Sequence, residues 1–432
     1  MKLRARVKYA VLERAVQPVA LRALTGIERL RSGVDYNPLD KRYRTDPYPL
    51  YRRLRERDPF HRSGLINGWV LTRYADVIEV LRDPRFLADD TKLPFAQKQR
   101  RQMISDEIIR EDEASSISML RNDPPDHTRL RALVSKAFTP RTVEALRPRI
   151  EAIVQEALDE VAGQGGMDVV QTLAYPLPVI VIAEMLGVPG SDREQFKHWS
   201  DESVRGLGVI SLAEVERAQE AFRELRAYFE RIAEERRREP REDLLSALLA
   251  AEQEGDKLTS DEVFSIVVLL LVAGNETTTN LIANGLYALL QHPDQLALLR
   301  DDPSLMEGAV EELLRYDCPV QATSRFVLED VELDGHVVAA TQQVIALLGA
   351  ANRDPEQFDE PERLDITRQD NRHVAFGHGI HYCLGAPLAR LEAPIAFQAL
   401  LERFPNLRLT GEHPEPGDNL ILHGLKTLPV AF

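Results

Sequence analysis

One cysteine set among glycines constrains this chain more than any other feature. Cys383 lies in the run Phe376-Gly377-His378-Gly379-Ile380-His381-Tyr382-Cys383-Leu384-Gly385-Ala386-Pro387-Leu388-Ala389-Arg390. Gly377, Gly379 and Gly385 suit a backbone that turns through positive φ or approaches a flat ligand closely. Pro387 suits the first turn of a helix, where its missing N–H costs nothing. The run therefore reads as a loop that delivers a lone thiol to a helix start. Amide donors and the helix dipole there favour a thiolate over a thiol. A thiolate so held, with no second cysteine beside it, has the character of a proximal ligand to haem iron. The plainer alternative is a buried free cysteine in a tight turn. Three glycines and a histidine around the thiol weigh against it.

The rest of the composition narrows the setting. Only two cysteines occur among 432 residues, Cys318 and Cys383, with no CxxC pair. That excludes a disulfide framework and the usual structural zinc sites, and it fits a reducing cytoplasm. The net charge of −15 argues against a nucleic-acid binder. Length alone suggests about three domains, yet no Ser/Gly tether, Pro-rich spacer or repeat divides the chain. With 44% hydrophobic residues there is material for one large core. The expected fold is mainly α with small β-sheets, in a single large domain.

Residues 1–32 differ in character from the rest of the chain. Lys2, Arg4, Arg6, Lys8, Arg14, Arg22, Arg29 and Arg31 face only Glu13 and Glu28, interleaved with Val, Ala and Leu. This basic extension, apart from the body at 33–432, could touch an anionic membrane surface or a partner. A solvated, partly frayed helix is the alternative. Its charges interrupt any signal-peptide layout. No transmembrane helix is expected, because the most apolar stretch, Ile266 to Ala273, is far short of the roughly 20 residues that span a bilayer.

Periodicity and turn signals give the elements. Thr45-Asp46-Pro47 caps a helix that stops before Pro59. A hairpin is expected within 60–72 and a short helix from Tyr74 to Leu81, followed by a long loop with a short helix over 85–122. Phe222, Leu225, Phe229 and Ile232 mark one face of a charged helix. A long apolar helix starts at Ser260 and reaches about Gln291, and another runs from Pro303 to Tyr316. Strands are expected over 326–337, turning at Asp334-Gly335, and over 344–348. Residues 352–372 read as an irregular meander.

Three groups of residues carry further chemistry. Ala273-Gly274-Asn275-Glu276-Thr277-Thr278 breaks good helix design, since Gly costs about 1 kcal/mol against Ala and a buried carboxylate costs more unless partnered. A Thr bonding back to a carbonyl can bend the helix and leave room for a small ligand beside a proton donor. A structural kink where another element crosses would explain the same residues. Glu312 and Arg315 share a helix face at i and i+3, as do Glu220 with Arg223, and a solvated ion pair is the default for both. His127 and Arg131, four apart after Asp123-Pro124-Pro125-Asp126, share a face near a helix start.

The pattern Phe376, Gly379, His381, Cys383, Gly385 resembles the haem-binding signature of the cytochrome P-450 family of haem-thiolate monooxygenases, in its soluble bacterial branch. The resemblance runs from about residue 45 to the C-terminus and includes Asn352-Arg353-Asp354-Pro355 and Leu428-Pro429-Val430. It implies the family's triangular, mostly α fold and haem b with Cys383 as the axial iron ligand. Phe376, Gly377, His381 and Gly385 would be cofactor-binding, with His381 donating to a haem propionate. It implies Glu276 and Thr277 as the acid–alcohol pair that delivers protons for O2 cleavage. It further implies His127, Arg131 and Arg325 as propionate partners, suited to carboxylates as donors. Glu312, Arg315 and Arg368 would form a bracing network.

The implied activity is insertion of one oxygen atom from O2 into a lipophilic organic substrate, by hydroxylation or epoxidation. Electrons would come from a separate ferredoxin or flavodoxin with its reductase, docking near the cysteine side of a cytoplasmic monomer. The alternatives are a peroxide-driven haem-thiolate oxidase, which often lacks the acid–alcohol pair present here, and a haem-based sensor or carrier. Pocket walls are expected from the 86–120 loop, from Leu207 to Val215, from the apolar residues before Ala273, and from Val320 to Thr323, where Gln321 and Thr323 could position a substrate oxygen. A terpenoid, steroid, fatty acid or macrolide would fit such walls.

Overall fold

The computed structural model describes residues 17–93, 118–205, 212–253, 258–411, 413–417, 419 and 421–432. The helices that build the site and its supports are α1 (Gln17–Ser32), α2 (Asp126–Val134), α3 (Arg147–Val161), α4 (Pro176–Met185), α5 (Arg193–Arg205), α6 (Leu212–Arg238), α7 (Ser260–Gln291), α8 (Met306–Tyr316) and α9 (Ala386–Arg403). The core runs through α7, against which α4, α5, α8 and α9 pack.

Helix α7 begins with a capping box. The Thr259 hydroxyl accepts from the Glu262 amide at 3.2 Å, and the Glu262 carboxylate accepts from the Thr259 amide at 2.7 Å. By length and composition this helix could cross a membrane. The short apolar stretch noted in the sequence understated it. Its apolar residues continue around the helix because neighbouring helices cover most of it, burying Val267, Leu271, Ile282, Leu286 and Leu289.

A five-stranded sheet flanks this helical body in the order β1-β2-β8-β5-β3. β1 (Phe60–Ser63) and β2 (Gly68–Leu71) form the expected hairpin. β2 then runs parallel to β8 (Gln343–Leu347), which pairs antiparallel with β5 (Ala322–Val327) and, through it, with β3 (Phe86–Leu87). β4 (Gly166–Asp168), β10 (Pro429–Ala431) and β9 (Arg408–Leu409) make a second sheet. β6 (Val331–Leu333) and β7 (His336–Val338) make a hairpin whose turn uses Asp334 and Gly335 at φ 47° and 72°.

Two boundaries differ from the sequence reading. β5 starts at Ala322, before Phe326, because half-buried Ala322, Thr323 and Ser324 carry no apolar alternation to announce a strand. Asp302 caps a single 3₁₀ turn at Pro303–Leu305, and the α-helix follows only from Met306. Residues 352–372 form the expected meander. Most of the 86–120 loop and the Leu207–Val215 wall lie outside the described residues or their described side chains.

The basic segment is described from Gln17, and α1 is packed onto the body rather than free. Its inner face carries Leu24 over Gly64 and a buried Glu28. The Glu28 carboxylate accepts from the Tyr36 amide (3.1 Å), the Gly64 amide (2.8 Å) and the Ser63 hydroxyl (2.9 Å), and meets His61 Nε2 at 3.3 Å. His61 Nδ1 meets Asp58 at 2.9 Å. Burial opposes charge on Glu28 and His61, but their mutual contact and their other partners lower the Glu28 pKa and raise that of His61. The Glu28 contribution is fully present above 4.5 and is lost as pH falls through its folded pKa; the His61 contribution is fully present below 6.5 and is lost as pH rises through its folded pKa. Docking is therefore firmest between pH 4.5 and 6.5. Glu28→Ala should lower stability by about 3 kcal/mol, since it leaves buried donors unpaired. Amide exchange over residues 21–32 should accelerate with it; an unchanged thermal midpoint and exchange pattern would contradict this packing.

Candidate active site

The Cys383 loop is built by two left-handed glycines. Gly377 and Gly379 both stand at φ 70°, and a Cβ on Gly379 would lie 2.3 Å from the Leu81 carbonyl oxygen. The Gly377 amide donates to Val374 O at 2.8 Å, and the Cys383 amide donates to Phe376 O at 2.9 Å. Gly385 stands at φ −82° as the N-cap of α9, so it needs no left-handed freedom. A Cβ there would face the Cys383 sulfur at 4.0 Å. Pro387 occupies the first turn of α9, as expected. Burial pushes the Cys383 thiol pKa up, while the Gly385 and Ala386 amides and the Arg131 and Arg390 charges pull it down without prevailing. The amides and cations expected to favour a thiolate are thus in place around the sulfur, opposed by its burial.

Beside the loop lies a buried group of cations and donors without a matching anion. The rings of His127 on α2 and His381 meet at a tilt, with centres 4.3 Å apart. Both ring nitrogens of His127 and Nε2 of His381 are buried and meet no partner. Arg325 on β5 is 6% exposed and donates only within its own strand, to Thr323 Oγ1 at 3.2 Å and Ser324 O at 2.8 Å. Arg131 reaches the Tyr382 carbonyl at 2.7 Å. Burial holds Arg325 down to about 10; burial and then the Arg325, His127 and Arg131 charges hold His381 down to about 3. Asp123 is the carboxylate that acts on both Arg325 and His127, but it already accepts from the Ala88 and Asp89 amides at 2.9 and 3.2 Å. Buried donors in this state call for an anionic ligand.

Helix α7 supplies the residues expected of the opposite wall. It continues unbroken through Ala273–Thr279, although Thr277 Oγ1 bonds to Ala273 O at 2.7 Å and Thr279 Oγ1 bonds to Asn275 O at 3.0 Å. Gly274 admits α4, since a Cβ would meet Ile182 at 3.2 Å. Helix crossing thus explains the glycine, while Ala273 is exposed in the middle of an otherwise buried helix. Burial and the Asp201 charge raise Glu276 to about 7, and its Oε2 has no partner. Asn275 is taken up by Ser200 Oγ at 2.8 Å. Gln321 Nε2 is taken up by Cys318 O at 2.6 Å and Tyr48 at 3.2 Å, so its nitrogen serves the fold, while its buried Oε1 meets no partner among the described residues.

The expected ion pair is deeply structural. Glu312 and Arg315 have fully buried side chains joined at 2.8 Å, unlike the exposed Glu220–Arg223 pair of identical spacing. Arg368 adds a contact to Glu312 at 3.1 Å. Two supports escaped the sequence reading. Glu311 binds Arg390 through both oxygens at 2.7 and 2.8 Å, and Arg390 donates to the Tyr382 hydroxyl at 2.9 Å. Glu392 on α9 is buried, bonds toward Thr278 of α7 and is raised to about 8 by that burial. The doubled Glu311-Glu312 was the available signal for the first; nothing in sequence marked the second.

The family model for cytochrome P450 matches residues 95–430. The chain is 46% identical over 401 residues to cytochrome P450 CYP107DY1 of Priestia megaterium, covering 90% of this chain and 96% of that protein. The chain belongs to the cytochrome P450 family. Its fold is also that of solved P450s. The Bacillus subtilis 168 bacillaene polyketide synthase cytochrome P450 PksS aligns with TM-score 0.84 at 41% identity, covering 92% of this chain and 99% of that one. CYP109E1 from Bacillus megaterium in complex with testosterone aligns with TM-score 0.81 at 40% identity, covering 91% and 99%. This P450 is a monooxygenase whose cofactor is haem b and whose co-substrate is O2.

The residues of this P450 fit that cofactor. Haem carries two carboxylates, which the unpartnered buried ring nitrogens of His127 and His381 and the buried Arg325 beside them would suit, and Cys383 is a free thiol on the adjoining loop. His127→Ala with Arg325→Ala should weaken haem retention by roughly tenfold to a hundredfold, as expected for lost charge-assisted hydrogen bonds. Competition for haem by apomyoglobin measures it, and unchanged haem transfer would contradict the assignment.

Proposed function

We propose that Cys383 is the axial ligand to the haem iron, that His127, His381, Arg131 and Arg325 hold the propionates, and that Glu276 and Thr277 manage protons on the distal side. The observation that carries this reading is the convergence of unpartnered buried ring nitrogens from α2 and the Cys383 loop, beside the buried Arg325 of β5, on one anion-seeking region. When bound, haem supplies the oxidising power, and the protein supplies the ligand, the protons and the shaped pocket.

Glu276 is suited to proton transfer because a carboxyl held at about 7 can both take and give a proton near neutral pH. The Thr277 hydroxyl donates to Ala273 O, which leaves its oxygen lone pairs toward the region that exposed Ala273 borders. Ala273, Val320 and Thr323 present mostly apolar surface, which supports a lipophilic substrate. The relatives associated by name with a polyketide synthase and with testosterone support the same substrate class. The reaction is hydroxylation or epoxidation of such a molecule. Electrons come from a ferredoxin or flavodoxin with its reductase, for which exposed Ile380 and Tyr382 on the Cys383 loop offer a contact.

Thr277→Ala should leave substrate binding intact while diverting reducing equivalents into hydrogen peroxide. Glu276→Gln should lower turnover by about a hundredfold and remove the rate change near pH 7. Substrates are found first by the spin-state shift of the ferric protein. Product oxygen is then traced with labelled O2, and unchanged coupling in Thr277→Ala would remove its assigned role.

A further inference from the structure

We propose that α1 rests its outer face on an anionic membrane surface, making this P450 a peripheral membrane protein. The inner face of α1, with Leu24, Thr25 and Glu28, is spent on the body. One half-turn away, Ala23, Ile27 and Leu30 follow at helical spacing and point outward; Ile27 is 62% exposed and Leu30 is 90% exposed. Arg22 and Arg29 flank this ridge on one side, where Arg29 is paired with Asp35 at 2.7 Å, and Arg31 flanks it on the other. An apolar ridge between arginines is the arrangement of an interfacial helix, in which the aliphatic arms lie along the boundary and the guanidiniums reach the headgroups.

Charge selects the occupant. Residues 1–32 hold eight basic and two acidic side chains, a net of +6, so the rest of the chain carries −21 of the total −15. Glu28 is turned inward, which leaves the outward face more positive still. Lys2, Arg4, Arg6, Lys8 and Arg14 precede α1 in sequence and oppose only Glu13. An acidic protein whose N-terminal sequence is basic, and whose α1 presents Ile27 and Leu30 to solvent, is complementary to anionic lipid there. Each basic residue close to such a surface is worth roughly fivefold in binding. The distal chemistry plays no part in this surface, so the proposal stands apart from the site assignments.

The test is co-sedimentation of the full-length haem-loaded protein with vesicles. Phosphatidylcholine vesicles containing phosphatidylglycerol are compared with pure phosphatidylcholine, at low and high salt. Binding is expected on the anionic vesicles and should weaken with salt. Ile27→Asp with Leu30→Asp should weaken it at least about tenfold. Arg22→Gln with Arg31→Gln should weaken it by a similar factor. Haem content should stay unchanged in both variants, and the thermal midpoint nearly so, since Ile27, Leu30 and Arg22 face solvent and Arg31 acts on the body through its charge near Asp58. Absence of binding to anionic vesicles, or binding that the aspartates leave intact, overturns the proposal. So does a concentration-dependent dimer by light scattering that the aspartates abolish, because the ridge would then serve a second copy.

Discussion

Arg315 and Glu312 lie at the foot of α8 with no access to water, and the region around Cys383 is assembled on them. Moving two ions into the interior costs several kcal/mol each, so such a pair survives only when every donor and lone pair is used. Here the accounting closes. The five N–H groups of Arg315 go to both Glu312 oxygens and to the carbonyls of Asn352, Pro361 and Arg363. Glu312 in turn accepts from the Asp365 amide, Arg368 and Asn371. The meander has no helix or sheet ladder, so its backbone groups need partners of this kind. Through these bonds α8 fixes the chain that leads to the Cys383 loop, and Asn352 continues the path by accepting from the Val374 amide at 2.7 Å.

The same principle, read in the opposite sense, separates support from function. Around Glu312 and Arg315 the charges are fully matched and the network is a frame, with only Asn352 Nδ2 and Asn371 Oδ1 left over at its margin. At His127 and His381 buried ring nitrogens meet no partner among the described residues, and the two carboxylates of haem would complete them. Glu276 resembles the second kind, with a carboxyl oxygen that meets no partner among the described residues and a raised pKa, which suits the proton transfer proposed for it.

Local chemistry was legible in the sequence, and burial was not. The glycines at 377 and 379, the α7 capping box and the Asp334-Gly335 turn act through their own backbone and could be read directly. Glu312–Arg315 could not be told from Glu220–Arg223 by spacing, because one is sealed by the meander while the other faces solvent. Gln321 looked free for a ligand until Tyr48 and Cys318 were seen to hold its nitrogen. Residues 17–32 read as an extension because their basic surface obscured the single inward acid, Glu28.

The central claim is that Cys383 ligates the haem iron, and the spectrum of the reduced, CO-bound protein tests it most directly. Thiolate ligation predicts the far red-shifted Soret band, lost when Cys383 is replaced by His. A Soret band at the position of a histidine-ligated haem in the unaltered protein would contradict the account.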